Sequence, residues 1–296
     1  MIRELVTDHP MPMEKFGILH QRLKQAGPFR FLKARTPTYA EFESIHNHEY
    51  VFRVFGLGRL SLEEATEAIL TGKAPLDADC APLSPDIFQM HRMAFGGTLT
   101  GLRYLQRNGG VCLNLHGGFH HAHHARGAGF CLFNDLAAAA RLSRGRALVL
   151  DVDAHQGDGT AAILERDRDA FTLSLHAGEG YPMARPQSNI DIALKSGTGD
   201  AAFMNELEPA LEDALRVFKP EVVIYQAGVD SLATDALGLL GMTQEGIQRR
   251  DRFVVKQCAD RKIPLLVTMG GGYSSLKTTM EAHWSVFAAA ADIHGE

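Results

Sequence analysis

RALVLDVDAHQGDG, residues 146–159, begins as an apolar run and ends in three aspartates, a histidine and a glutamine. That order describes a buried parallel strand whose carboxyl end carries chemistry. Similar apolar runs recur at VCLNL (111–115), AFTLSL (170–175), EVVIYQAG (221–228) and PLLVTMGGG (264–272). Helix-like segments lie between several of them: FNDLAAAARLSR (133–144), AFMNELEPALEDALRVF (202–218) and EGIQRRDRFVVKQCADR (245–261). The alternation predicts parallel strands joined by crossover helices, and the continuous apolarity predicts a sheet covered on both faces. The first hundred residues are less regular, with helices expected at 12–25, 39–47 and 61–71. They read as extra layers on a single domain spanning residues 1–296.

Hydrophobic residues make up 45% of the chain, enough for a sizeable core. A net charge of −5 argues against a nucleic-acid partner, which selects a basic face. The four cysteines form no CxxC pair, so neither a disulfide framework nor a thiolate zinc site is expected, and a reducing compartment fits. The opening MIRELVTDHPMPMEKF carries charges where a signal peptide has its apolar core. No apolar run approaches the roughly 18 residues of a membrane span. The expectation is a soluble cytoplasmic protein with no membrane partner; its oligomeric state is left open.

The chemistry collects at strand ends. In extended chain alternate side chains share a side, so Asp153 and His155 offer one oxygen and one nitrogen together. A lone DxH is more often a strand end with a helix cap. Asp230, just beyond Gly228 on another strand tip, changes the balance by supplying a third ligand. Three protein ligands with an open position describe a catalytic metal rather than a structural one. HGGFHHAHHARGAGF (116–130) adds five histidines. Beside a metal, His120 and His121 are better used as proton carriers, with Asp151 and Asp158 free to orient one each. His116, His123 and His124 have no such partner in the sequence and read as polar loop residues. GGGY (270–273) lets backbone approach a ligand closely and presents the phenol of Tyr273.

Taken together, GGFHHAHHARGAGFCLFND, LDVDAHQGDGTA, TLSLHAG, YQAGVDSLATDALG and MGGGYS resemble, in the same order, the motifs of the zinc-dependent histone deacetylase superfamily. The likeness runs over roughly residues 9 to 275, and HPMPMEKF and HAGEGYP look most like the class IV branch and its bacterial relatives. The resemblance implies an arginase/deacetylase-like three-layer α/β/α domain with a central, mainly parallel, eight-stranded sheet. It implies one zinc ion on Asp153, His155 and Asp230, His121 as general base and acid, and His120 as its electrostatic neighbour. Asp151 would orient His120, Asp158 would orient His121, and Tyr273 would polarise the scissile carbonyl. Gly129, Phe130, Tyr181 and Gly271 would line the acyl-lysine tunnel. A structural potassium would take oxygens from Asp151, Asp153, His155, Ser174 and Leu175. Gln156 departs from relatives that carry a second histidine there, with little consequence expected.

The implied activity is removal of acetyl or other acyl groups from amines, first from acylated lysine of proteins. An acetylpolyamine or small-metabolite amide is the alternative substrate. An arginase-like ureohydrolase is disfavoured by the adjacent His pair and the GGGY tyrosine, which suit one metal. A non-catalytic acyl-lysine binding module should have lost a ligand, the base or the tyrosine, and none is missing.

Overall fold

A computed structural model describes residues 10–80 and 83–294; His9 of the HPMPMEKF motif lies outside them. Six strands form one sheet: β1 (Val111–Leu113), β2 (Ala147–Asp151), β3 (Ala170–Ala177), β4 (Ile190–Leu194), β5 (Val222–Gln226) and β6 (Leu265–Thr268). Their order is β1-β6-β5-β2-β3-β4, and every pairing is parallel. The helices are α1 (Lys15–Ala26), α2 (Tyr39–Glu43), α3 (His48–Leu57), α4 (Leu62–Leu70), α5 (Pro85–Asn108), α6 (Asp135–Arg141), α7 (Asp158–Leu164), α8 (Asp200–Phe218), α9 (Gln244–Asp260) and α10 (Leu276–His294).

Alternation along the buried strands feeds two apolar layers, one on each face of the sheet. Leu148, Leu150, Val223 and Tyr225 pack with α1, α8, α9 and α10. Ala147, Val149, Val222 and Ile224 pack on the other side with α5 and α6, beneath α3 and α4. The helix α8 shows why its segment folds this way. It buries Phe203, Met204, Leu207, Leu211 and Leu215 at helical spacing against the sheet, each contributing roughly 1.5–3 kcal/mol. The α/β/α class expected from the sequence therefore holds.

The sheet itself differs from expectation: it has six strands among the described residues, not eight. Residues 28–34 (PFRFLKA) run beside β1 without pairing to it, and a cavity of about 550 Å³ separates the two. Prolines at 28 and 37 bracket that stretch, and Arg35 turns its amide to Thr100 Oγ1 instead of to a strand. The 24-residue α5 starts cleanly on a Ser84 cap with Pro85 in its first turn.

The chain order decides where a ligand can bind. From β2 the chain moves outward to β3 and β4, then returns to β5 on the other side of β2. The β2/β5 boundary is thus the topological switch point, where an open parallel sheet leaves a crevice beyond its carboxyl ends.

Candidate active site

Asp153 and His155 follow β2, and Asp230 follows β5, so the three face one another across that crevice. One ligand atom from each lies within 4.8 Å of the others. His155 Nδ1 is 3.0 Å from Asp153 Oδ1 and 2.9 Å from Asp230 Oδ2. Glycines make this convergence possible. A Cβ on Gly228 would sit 2.4 Å from Asp153 Oδ2, and one on Gly271 would sit 2.4 Å from Asp230 Oδ2. Two buried carboxylates this close cannot both stay ionised without a cation. Burial and Asp153 push the Asp230 carboxyl up to about 8, whereas His120 and His155 overcome burial to hold Asp153 well below the usual range. Burial would lower His155, but hydrogen bonds to both carboxylates raise it well above its ordinary value. An oxygen–nitrogen–oxygen donor set carrying two negative charges fits a divalent cation such as zinc.

Two histidine–aspartate pairs stand beside this triad. His120 Nδ1 donates to Asp151 Oδ2 at 2.7 Å, and His121 Nδ1 donates to Asp158 Oδ1 at 2.6 Å. The imidazoles are 4.0 Å apart at their centroids. Their environments separate them. Burial and the neighbouring His120 pull His121 down to about 4, against the pull of Asp158. For His120, Asp151 and Asp153 outweigh burial and raise it to about 9. The two adjacent imidazoles are thus pushed in opposite directions by their surroundings.

The histidine loop is held from below. The Asn134 side chain caps α6 through Ala137 N and also donates to the His120 and Ala122 carbonyls. Gly159, in the first turn of α7, passes so close that a Cβ would lie 2.4 Å from the Ala122 oxygen. A helix cap and a helix glycine therefore set the height of both histidines over the sheet.

One reading from sequence needs correction here. His123 has a carboxylate partner: its Nε2 lies 2.9 Å from Asp158 Oδ2, so Asp158 serves two imidazoles. Those contacts overcome burial and hold Asp158 below the usual carboxylate range. His124 is exposed and binds the Ile45 carbonyl through Nδ1, while His116 stacks on Phe16 at 4.0 Å.

A cavity of about 320 Å³ leads to the triad, walled by His121, Gly129, Phe130, His155, Tyr181 and Tyr273. Tyr181 stands edge-on to His121 at 4.8 Å, and Tyr273 lies 6.3 Å from both Phe130 and His155. Phe130 takes φ 63°, an uncommon conformation that turns its ring with the wall. Gly129 is required beside it, because a Cβ would lie 2.3 Å from the His121 ring. Gly271 does not line this cavity. It borders a smaller one of about 60 Å³ that Asp153 also lines, and its amide donates to Asp153 Oδ2 at 2.8 Å. Ser174 sits in β3 in register with Asp151, its hydroxyl 2.9 Å from His176 Nδ1, and Leu175 follows it. Gln156 points away to Asp191 and the Pro186 carbonyl.

Several site residues escaped the sequence. Asp235 accepts the Tyr273 amide at 2.7 Å and those of Leu237 and Gly238, fixing the tyrosine turn. Leu237, Leu239, Asp79 and Glu179 frame the outer cavity. For Gln226 the visible signal was a lone amide in an otherwise apolar strand.

Comparison with known proteins agrees with this geometry. The histone deacetylase domain model matches residues 9–290. An uncharacterized protein of Picosynechococcus sp. is 35% identical over 302 residues, covering 99% of this chain and 96% of its own. Histone deacetylase 2 of Arabidopsis thaliana is 38% identical over 190 residues, covering 62% of this chain and 49% of that protein. Histone deacetylase HDAC1 of Drosophila melanogaster is 27% identical over 284 residues, covering 90% of this chain and 53% of its own. The chain thus spans about half the length of these two named relatives. The crystal structure of acetylpolyamine aminohydrolase from Burkholderia pseudomallei shares the fold, with a TM-score of 0.79 at 19% identity over 95% of this chain and 90% of that one. With that domain matched along nearly its whole length and the Asp153–His155–Asp230 group assembled at the switch point, the chain belongs to the histone deacetylase domain family and is a deacetylase-type hydrolase.

Proposed function

We propose that the protein is a zinc-dependent amidohydrolase that removes acetyl or other acyl groups from acylated amines, in the first place N-ε-acyl-lysine of proteins. The observation that carries this reading is the convergence of two His–Asp pairs and an Asp-His-Asp triad at the base of an aromatic-walled cavity. Asp153, His155 and Asp230 would hold the zinc, which when bound supplies Lewis acidity that polarises the amide carbonyl and acidifies water.

The chain's own residues supply the rest. Asp158 holds the proton on His121 Nδ1, leaving Nε2 to take a proton from the attacking water. His120, kept protonated by Asp151, adds a positive field beside the developing charge. Tyr273 donates its hydroxyl to the carbonyl oxygen as that oxygen becomes anionic. His121 then returns its proton to the leaving amine, giving a carboxylate and a free amine. Phe130 and Tyr181 grip the alkyl stem and exclude water from it. A potassium ion bound by oxygens around Asp151, Asp153, His155, Ser174 and Leu175 belongs to the same proposal, as does a cytoplasmic, reducing setting, supported by four cysteines that are all free.

A second reading, an acetylpolyamine substrate, is favoured by one feature: two carboxylates, Asp79 and Glu179, border the cavity and would attract a second ammonium group. The deciding experiment presents zinc-loaded protein with acetyl-lysine peptides, monoacetylated diamines and longer acyl-lysine peptides, and measures released amine by mass spectrometry. Preference for the peptides supports the first reading and preference for acetylated diamines the second. Release from none of them overturns both.

A further inference from the structure

We propose that Gln226 is a positioning residue of the metal centre, whose side-chain amide locks the Asp153 carboxylate to the strand tip carrying Asp230 and so raises affinity for the cation. The inference rests on the zinc-hydrolase reading above. Gln226 is the last residue of β5, fully buried, and lies in register with Asp151 of β2. Its Nε2 donates to Asp153 Oδ2 at 2.7 Å and its Oε1 accepts from Gly228 N at 2.8 Å. One planar amide therefore spans a ligand on one strand tip and the backbone two residues before a ligand on the next. Burying such a group in an apolar strand is costly unless both ends are satisfied, and here both ends are used on the site.

The surroundings are built to accept it. A Cβ on Gly270 would lie 2.4 Å from Gln226 Nε2 and 2.5 Å from its Cδ, and Gly270 has φ 61°. Only glycine combines that backbone with that approach. The Asp153 carboxylate is then pinned on both oxygens, Oδ2 by Gln226 and the Gly271 amide, and Oδ1 by the His155 amide at 3.1 Å. The Gly228–Asp230 tip is held from its other side as well. Buried Arg250 donates Nη1 to the Gly228 carbonyl at 2.8 Å, and the Ala154 amide donates to Asp230 Oδ1 at 2.7 Å. Within this set the Gln226 amide is the side chain that reaches from one tip to the other, alongside the main-chain link from Ala154 to Asp230. Partners that orient metal ligands typically govern about 10- to 100-fold in metal affinity.

The test compares wild-type protein with Gln226→Met, which keeps bulk and loses both hydrogen bonds, and Gln226→Asn, which keeps the amide but falls short of Asp153. Zinc dissociation constants are measured by competition with a chromophoric chelator, alongside thermal melts of the metal-free forms. The expected result is a cooperative apo melt with a zinc dissociation constant raised about 10- to 100-fold in either variant. A residue serving structure alone would lower the melting temperature and leave zinc affinity of the folded form unchanged. Affinity within about twofold of wild type therefore overturns the proposal, and so does failure of both variants to fold. If wild-type protein itself binds no zinc, the reading of the site falls first and Gln226 with it.

Discussion

Replacing Tyr273 by phenylalanine removes one hydroxyl while leaving the ring and the backbone anchored as before. The Tyr273 amide donates to Asp235 Oδ2 at 2.7 Å, a bond the side chain does not enter. The ring packs 6.3 Å from Phe130 and from His155, contacts that phenylalanine reproduces. The turn is set by Gly270 at φ 61°, which the substitution does not touch. Loss of one hydroxyl should therefore shift stability by about 1 kcal/mol or less, a few degrees in melting temperature for a chain of this size. Catalysis should respond far more. Burial, with Asp153 and Asp230 next, raises the phenol well above its ordinary value, so it stays a proton donor throughout the neutral range. A donor of this kind binds an oxyanion more tightly than a neutral amide, so its loss falls on the transition state. Removing one such donor costs roughly 100- to 1000-fold in turnover, about 2.7–4 kcal/mol. Steady-state kinetics on an acetyl-lysine peptide at matched zinc content should show kcat falling by that factor while KM moves little. A kcat within about threefold of wild type, with zinc and melting temperature unchanged, would refute the assignment of Tyr273 to the carbonyl.

Asp230→Ala should lose more than about 100-fold in zinc affinity together with activity, checked by chelator competition; full occupancy would remove Asp230 from the ligand set. His121→Ala should cut turnover by on the order of 100-fold or more, and His124→Ala should leave it near wild type. His123→Ala should fall between them, on the order of tenfold, because its imidazole shares the Asp158 carboxylate with His121. Stability should also follow pH through His46, which burial lowers from 6.5 to about 3 against the opposing hydrogen bond to the His123 carbonyl. Its Nε2 accepts the Asn134 amide and so has no room for a second proton. Between those two values the unfolded chain binds the proton and the folded chain does not, so stability is full above about 6.5 and declines as pH falls. Thermal melts from about pH 7 to pH 5 should show a shallower decline in His46→Gln than in wild type; equal slopes would exclude His46 as a contributor.

Much of the site could be read before any fold was known, because its ligands cluster in short motifs at the ends of apolar runs. RALVLDV, EVVIYQAG and PLLVTMGGG carry enough continuous apolarity to mark buried strands, and the strands β2, β5 and β6 fall within them. Asp153 and His155 share a side through the period of an extended chain, which is local geometry. Edges were harder. β4 alternates Ile190, Asp191 and Ile192 at the sheet margin, a pattern too short to separate from loop, and residues 28–34 pair with no strand among the described residues. What tertiary structure alone decided were the partnerships across long separations. That Asp158 serves both His121 and His123 depends on the height of the histidine loop over α7, set by Asn134 and Gly159. That Gln226 reaches Asp153 depends on β2 and β5 being neighbours at the switch point. Residue type and spacing specify which groups can bind a cation or carry a proton. Distances near 3 Å between residues more than seventy positions apart are set only when the two faces of the sheet are packed, because hydrogen bonding falls away within an ångström and local sequence carries no such constraint.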